Sequence, residues 1–328
     1  MKEYKSKRMN RVIYQSLVVL LTVVLSIGLI QTQTVFGAVQ SLGGRAVEGD
    51  LRITVQDSGQ MNVERNVSGT YQNQVYNGTS KGSRLQIGST GYGFGYYNGP
   101  STPTFLSNSK SGNTITTGWN AGDVNVTQKT TYTEGNDYYR LEWTITNSGS
   151  TSLNDLRFFH GEDTYLSGGD TGAGFWDPVN NSIGVKKTIS GSEQRLVLQG
   201  ITVPYAYDSQ SYSTVSSNVS SGALSNTIDP NESTDNGYAL EWRTANLSAG
   251  STWTIVAFEK FNNATVGGLI VTAPISVECD AGTTCEMNFS IVNVNTEDAT
   301  VNLSISGTQS WGQTIVGSNP RTIPGNSS

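Results

Sequence analysis

The stretch Asn136-Asp-Tyr-Tyr-Arg-Leu-Glu-Trp-Thr-Ile-Thr-Asn147 alternates apolar and polar residues with a period of two. Tyr139, Leu141, Trp143 and Ile145 fall on one face, and Arg140, Glu142 and Thr144 on the other. Successive side chains of a strand point to opposite faces, so this pattern predicts a half-buried β-strand. Short runs of β-branched and aromatic residues, parted by Gly and Asn turns, predict further strands along the chain. They lie at 51–56, 84–88, 113–119, 124–132, 155–160, 182–189, 195–199, 238–244 and 252–258. Good helix formers are too sparse for long amphipathic helices. A sheet of this size must bury its apolar face against a second sheet, which predicts a sandwich.

The strand has an echo. Tyr139-Arg-Leu-Glu-Trp-Thr-Ile-Thr-Asn147 and Tyr238-Ala-Leu-Glu-Trp-Arg-Thr-Ala-Asn246 share Tyr, Leu-Glu-Trp and Asn at matched spacing. Without a third copy this is not a repeat array. Residues 211–236 are rich in Ser, Asn and Asp and read as a long surface excursion. Gly267-Gly268 and Pro274 then introduce a second pattern, with strands expected at 275–278, 286–293 and 299–307. These suit an immunoglobulin-like sandwich, which takes about seven strands and about 100 residues. Residues 271–328 supply 58, so the module is expected to be partial and the sequence a fragment.

The N-terminus predicts export. Lys2, Lys5, Lys7, Arg8 and Arg11 precede the apolar run Leu17 to Ile30, and Val35, Gly37 and Ala38 offer a signal-peptidase site. The run is shorter than the roughly 20 residues that span a bilayer. Residues 1–37 therefore read as a cleaved signal helix, with a retained anchor as the alternative. The expected destination is the medium or the cell surface, with no membrane contact after cleavage. Setting aside that segment, with five basic residues and one acid, leaves 15 basic residues against 25 acidic, a formal charge of −10. Such a surface argues against nucleic acid or anionic lipid, which need clustered Lys and Arg. Cys279 and Cys285 flank a Gly-containing turn, and in an exported chain they are expected to form a disulfide.

Two segments resemble a known fold. Leu141-Glu-Trp-Thr-Ile-Thr-Asn-Ser-Gly-Ser-Thr-Ser-Leu-Asn-Asp-Leu-Arg-Phe158 and Asn246-Leu-Ser-Ala-Gly-Ser-Thr-Trp-Thr-Ile255 are similar to strand pairs of the galactose-mutarotase-like super-sandwich. That fold occurs in aldose epimerases and beside the catalytic domains of several glycoside hydrolases. Residues 271–328 resemble the first half of a bacterial CARDB-like Ig-type module. The resemblance implies an all-β fold class: a large antiparallel β super-sandwich over 38–270, then an incomplete Ig-like β-sandwich over 271–328, with an N-terminal signal helix. Fold does not fix function. Epimerases of this type use several histidines with a carboxylate, whereas His160 is the single histidine here, which speaks against that activity.

Three groups of residues carry candidate chemistry. The loop that follows His160 holds Asp163, Asp170 and Asp177 among glycines, and oxygen-rich loops of this kind suit Ca²⁺. Asp and Asn in Gly-rich turns also cap their own backbone, so both readings stand. The second acidic loop, Asp229-Pro-Asn-Glu-Ser-Thr-Asp235, is expected to be solvated. Tyr97, with Trp119 and Trp176, is a candidate sugar-stacking platform, since flat rings cover the apolar faces of pyranoses. Tyr92, Phe94 and Tyr96 alternate and read as core; Tyr97 breaks the alternation. The functional expectation is a secreted or cell-surface modular β protein, non-catalytic, that is structural or binds polysaccharide or a cell-surface glycan. The alternative is an accessory part of an extracellular carbohydrate-active enzyme with its catalytic domain beyond residue 328.

Overall fold

The alternating stretch forms a strand, Tyr138–Asn147, in which Tyr139, Leu141, Trp143 and Ile145 are at most 1% exposed and the residues between them are partly exposed. The computed structural model describes residues 39–97, 99–262, 264, 269–272, 290–293, 299–301 and 321–323. In chain order the first strands are β1 (Gln40–Gly43), β2 (Leu51–Val55), β3 (Met61–Val67) and β4 (Thr70–Asn73). There follow β5 (Lys81–Ile87), β6 (Thr90–Gly95), β7 (Thr104–Ser111), β8 (Thr114–Ala121) and β9 (Val124–Thr131). Next are β10 (Tyr138–Asn147), β11 (Leu153–Asp163), β12 (Ala173–Asp177), β13 (Ser182–Ile189) and β14 (Ser192–Gly200). Then come β15 (Ala206–Ser211), helix α1 (Tyr212–Ser221), β16 (Asn236–Leu247) and β17 (Thr252–Phe261).

Three antiparallel sheets result. One runs β1-β2-β3-β4, the largest β12-β13-β14-β17-β10-β9-β8-β7, and the third β15-β16-β11-β5-β6. The two smaller sheets cover the inner face of the eight-stranded one, and a single apolar core runs through all three. The echoed motifs face each other across that core. Trp143 of β10 lies 6.0 Å from Trp242 of β16 and 5.2 Å from Phe158 of β11, centroid to centroid. Its indole N–H is satisfied by Gln128 Oε1 at 2.9 Å, and Gln128 in turn reaches Met61 of the four-stranded sheet. The all-β sandwich expected from the alternation is the observed architecture.

The edge strand β7 carries a register shift between Phe105 and Ser107, with Leu106 exposed at the irregularity. Residues 211–236 differ from the surface excursion expected, because they contain α1. Val215 and Val219, one helical turn apart, are buried on the outer face of the five-stranded sheet with Tyr97, Phe159, Ala206, Leu224 and Ala239. Gly222, at φ 84°, closes the helix through N–H bonds to the carbonyls of Asn218 and Val219. Two apolar positions make too thin a stripe to signal a helix in sequence; packing supplies what propensity lacks.

The signal segment, its cleavage near Gly37 or Ala38, and the Cys279–Cys285 bridge lie outside the described residues. Beyond residue 268 the described strands pair as Leu269–Thr272 with Ser290–Asn293 and Ala299–Val301 with Arg321–Ile323; the rest of the segment expected to be an Ig-like module lies outside the described residues. Among the described residues no helix is long and apolar enough to cross a membrane.

Face assignment along β10 has a direct test. Trp143→Ala removes a fully buried ring and is expected to cost about 3–5 kcal/mol, while Thr144→Ala on the opposite face stays within about 0.5 kcal/mol. Urea unfolding of the two variants measures both, and equal costs would contradict the assignment.

Candidate functional site

The strand register builds a charged cluster inside the sandwich. Lys81 pairs directly with Glu162, Glu162 with Tyr238, and Tyr139 with Glu259. Lys81 Nζ donates to Glu162 Oε2 at 2.6 Å, and also to Glu259 of the facing sheet, so one ammonium joins the two layers. All five side chains are at most 1% exposed. Burial alone pulls the Lys81 ammonium down, but Glu162 and Glu259 outweigh it and hold the pKa above its usual value. One positive charge faces two carboxylates. Burial, followed by repulsion from Glu259, pushes Glu162 up to about 7 against the pull of Lys81. Glu162 Oε1, Glu259 Oε1 and the Tyr139 hydroxyl have no hydrogen-bond partner among the described residues. His160 lies on the same inward face of β11, fully buried, with Nδ1 2.8 Å from Ser83 Oγ and its ring 4.7 Å from Trp143. Burial, reinforced by Lys81, drives its pKa well below the ordinary value and keeps the ring neutral.

A second cluster lies one residue further along β11, on the outer face. Asp163 ends the strand, Asp170 follows the short turn Leu166–Gly168, and Asp235 immediately precedes β16. Their carboxylate oxygens all lie within 4.8 Å of one another. Backbone bonds lace the three segments together. Thr164 N–H and Oγ1 both donate to Asn236 O, Gly172 N–H donates to Thr234 O, and Asn236 Nδ2 donates to Gly172 O. Asp163 is 3% exposed, whereas Asp170 and Asp235 are partly exposed. One Oδ1 of each of the three acids is buried and unpartnered among the described residues. Burial, then Asp235, Asp170 and Glu162, pushes Asp163 up to about 8; burial, then Asp170, raises Asp235.

The structure therefore brings Asp163 and Asp170 together but not Asp177. Asp177 caps its own turn, accepting from Val179 N–H at 3.0 Å and from Asn180 Nδ2 at 2.7 Å. The third carboxylate is Asp235, from the loop expected to be solvated. The only sequence signal for it is the paired echo strands: once β11 and β16 align, Asp163 pairs with Gly237, and Asp235 lies two residues away.

The proposed sugar platform does not exist as read from the sequence. Tyr97 is 1% exposed under α1, and Trp119 is 2% exposed, donating to Asp57 O at 2.6 Å and packing 5.0 Å from Phe94. Neither ring offers a face to a ligand. The physical reason at Tyr97 is Gly95, whose left-handed φ of 85° ends β6 and turns the next residues under the helix. Trp176 is partly exposed, but Tyr207 stacks on it at 4.1 Å and 11°. Among the described residues the exposed ring is Tyr205, 63% exposed, with one face covered by the Arg243 guanidinium 3.9 Å from its centroid and the other open. A lone tyrosine after a proline gave no sequence signal.

No family model matches the chain, and no curated protein matches it. Among solved structures, a putative aldose 1-epimerase from Escherichia coli K12 is similar at a TM-score of 0.37 and 12% identity, over 69% of this chain and 99% of its own. A galactose mutarotase related enzyme from Lactobacillus acidophilus gives 0.38 and 7%, over 69% and 98%. A polysaccharide lyase gives 0.39 and 12%, over 80% of this chain and 43% of its own. The second of these carries in its name the fold family that the strand pairs resemble. Scores this low transfer no residue and no activity to this chain.

Two outcomes follow from the clusters. Lys81→Met leaves two carboxylates buried without a counter-charge and is expected to cost about 3–5 kcal/mol. Adding Glu162→Gln and Glu259→Gln should restore much of that, and urea unfolding of the single and triple variants decides it. The second concerns pH in a chelator. Asp163 holds its proton more tightly folded, near 8, than unfolded, near 3.8. Its contribution is thus fully present below about pH 4 and lost as pH rises through about 8. In EDTA, Asp163 should pull stability down between pH 5 and pH 8, against the opposite contribution of neutral His160, which grows as pH rises through the range of a free imidazole. Asp163→Asn should flatten the decline to the share left by Glu162 and Asp235. An unchanged slope in that variant would refute the assignment.

Proposed function

We propose that the chain is an exported, non-catalytic β-sandwich module that binds polysaccharide or a cell-surface glycan. The observation that supports this most is where reactive chemistry lies. The single histidine and the Lys81–Glu162–Glu259 cluster are at most 1% exposed, so no substrate reaches them without unfolding the interior. A general acid or base must come within hydrogen-bond reach of the group it serves. What the surface does offer is recognition chemistry. Tyr205, 63% exposed, presents one ring face, the other being covered by Arg243, which is itself held by Glu241. Rings beside fixed hydrogen-bond donors suit the apolar faces and hydroxyl rims of sugars. The basic and apolar start of the chain supports export, and the acidic balance supports a neutral glycan over a polyanion.

The test is retention on a panel of insoluble polysaccharides, with product release measured in parallel. The expected result is retention on at least one polysaccharide with no release of reducing sugar or unsaturated product. Tyr205→Ala should weaken that retention about tenfold, the equivalent of about 1.4 kcal/mol, without shifting Tm. Turnover by the purified chain would overturn the non-catalytic reading. Failure to bind any of the panel would overturn the glycan reading.

A further inference from the structure

We propose that Asp163, Asp170 and Asp235 form a divalent-cation site, selective for Ca²⁺, that fastens the loop after β11 to the segment leading into β16. The inference is independent of glycan binding and stands on three observations.

First, the donor set is right. Three carboxylates from separate segments bring oxygens within 4.8 Å of one another, a span that matches a coordination sphere of ligands about 2.3–2.6 Å from a central Ca²⁺. Among the described residues no Cys or His joins the group, so the site is all oxygen and favours a hard cation over Zn²⁺. The partial exposure of Asp170 and Asp235 leaves room for the waters that complete a sphere of six to eight oxygens.

Second, the buried member is orphaned. Asp163 is 97% enclosed, and its Oδ1 reaches no donor among the described residues. A buried carboxylate oxygen without a partner forfeits the hydration it had in the unfolded chain, and native proteins rarely leave such a group unmatched. The Oδ1 atoms of Asp170 and Asp235 are unmatched in the same way, so three acceptors converge without a donor.

Third, no protein cation among the described residues answers them. None of the ion pairs among the described residues includes any of the three acids. Lys187, the lysine near this loop, donates instead to Thr171 Oγ1 at 2.7 Å. The groups acting electrostatically on Asp163 are Asp235, Asp170 and Glu162, and Asp163 acts in turn on Tyr96 and Tyr97. None of them supplies positive charge. A proton on Asp163 is the competing way to relieve the repulsion, and it predicts no response to metal.

The experiment uses the full chain, stripped with EDTA and titrated with CaCl₂ at constant ionic strength, with MgCl₂ and NaCl as controls. Tm is expected to rise by about 5 °C at a hundredfold excess over the dissociation constant. Ca²⁺ should saturate the shift in the range of about 10⁻⁴–10⁻³ M typical of extracellular sites, and Mg²⁺ should give less. Tb³⁺, used as a luminescent substitute, should show emission sensitised by the neighbouring tyrosines. Asp170→Asn and Asp235→Asn, both at partly exposed positions, should each raise the half-saturating Ca²⁺ more than tenfold. Asp177→Asn should leave it unchanged. A Tm indifferent to Ca²⁺ together with dark Tb³⁺ would overturn the proposal in favour of the proton. A Ca²⁺ shift that survives Asp170→Asn and Asp235→Asn, or is lost with Asp177→Asn, would overturn it by placing the ion elsewhere.

Discussion

Successive residues of a strand must face opposite sides of its sheet, and on β11 that constraint separates two different electrostatic problems by a single peptide unit. Glu162 turns inward to Lys81, and Asp163 turns outward to Asp170 and Asp235. The same alternation sends Phe158 and His160 against Trp143 inside, and Phe159 into the cluster beneath α1 outside. Because β11 is central in its sheet, paired with β16 on one side and β5 on the other, its facing dictates theirs. A slip of one residue would exchange the two faces and place Asp163 against the aromatic core.

The interior so formed is largely aromatic, yet it holds an ammonium, two carboxylates, two tyrosines and a histidine. Burying ions is costly, and replacing a buried pair by apolar groups is often neutral or favourable. Stability alone is therefore a weak reason for the cluster. Its geometry points to alignment: Lys81 belongs to the five-stranded sheet and Glu259 to the eight-stranded one, so both carboxylates are matched only in one relative setting of the layers. Close backbone approach tightens that setting. A Cβ at Gly161 would lie 2.1 Å from Tyr238 O, so the centre of the sheet accepts no side chain at that position.

Much of the sandwich was legible because period-two alternation is a local signal. Burial alternates from end to end of Tyr138–Asn147, and the strand Ser182–Ile189 has the bounds expected of it. The helix over Tyr212–Ser221 was not, since its sequence is mostly Ser and Val, and only the sheet beneath gives Val215 and Val219 something to bury against. At Tyr97 the alternation misleads, because the left-handed Gly95 resets which face follows. The carboxylate group was half legible. Asp163 and Asp170 share a loop, whereas Asp235 arrives through strand pairing, and composition favoured Asp177, whose own turn had already claimed it. Local hydrogen bonds compete with ligand sites for the same side chains, and sequence does not show which wins.

The irregular edge at β7 has a consequence for how such a module behaves in numbers. An open sheet edge is a template on which a second copy can add its own strand. Here the register breaks between Phe105 and Ser107, and Lys110 bends across to Ser41 O at 2.7 Å, so the row of free backbone groups is interrupted and carries a cation. At the opposite border of the large sheet, the Gly174 N–H of β12 is already bonded to Asp229 O at 2.7 Å. Both borders of the large sheet are therefore poor templates for an added strand.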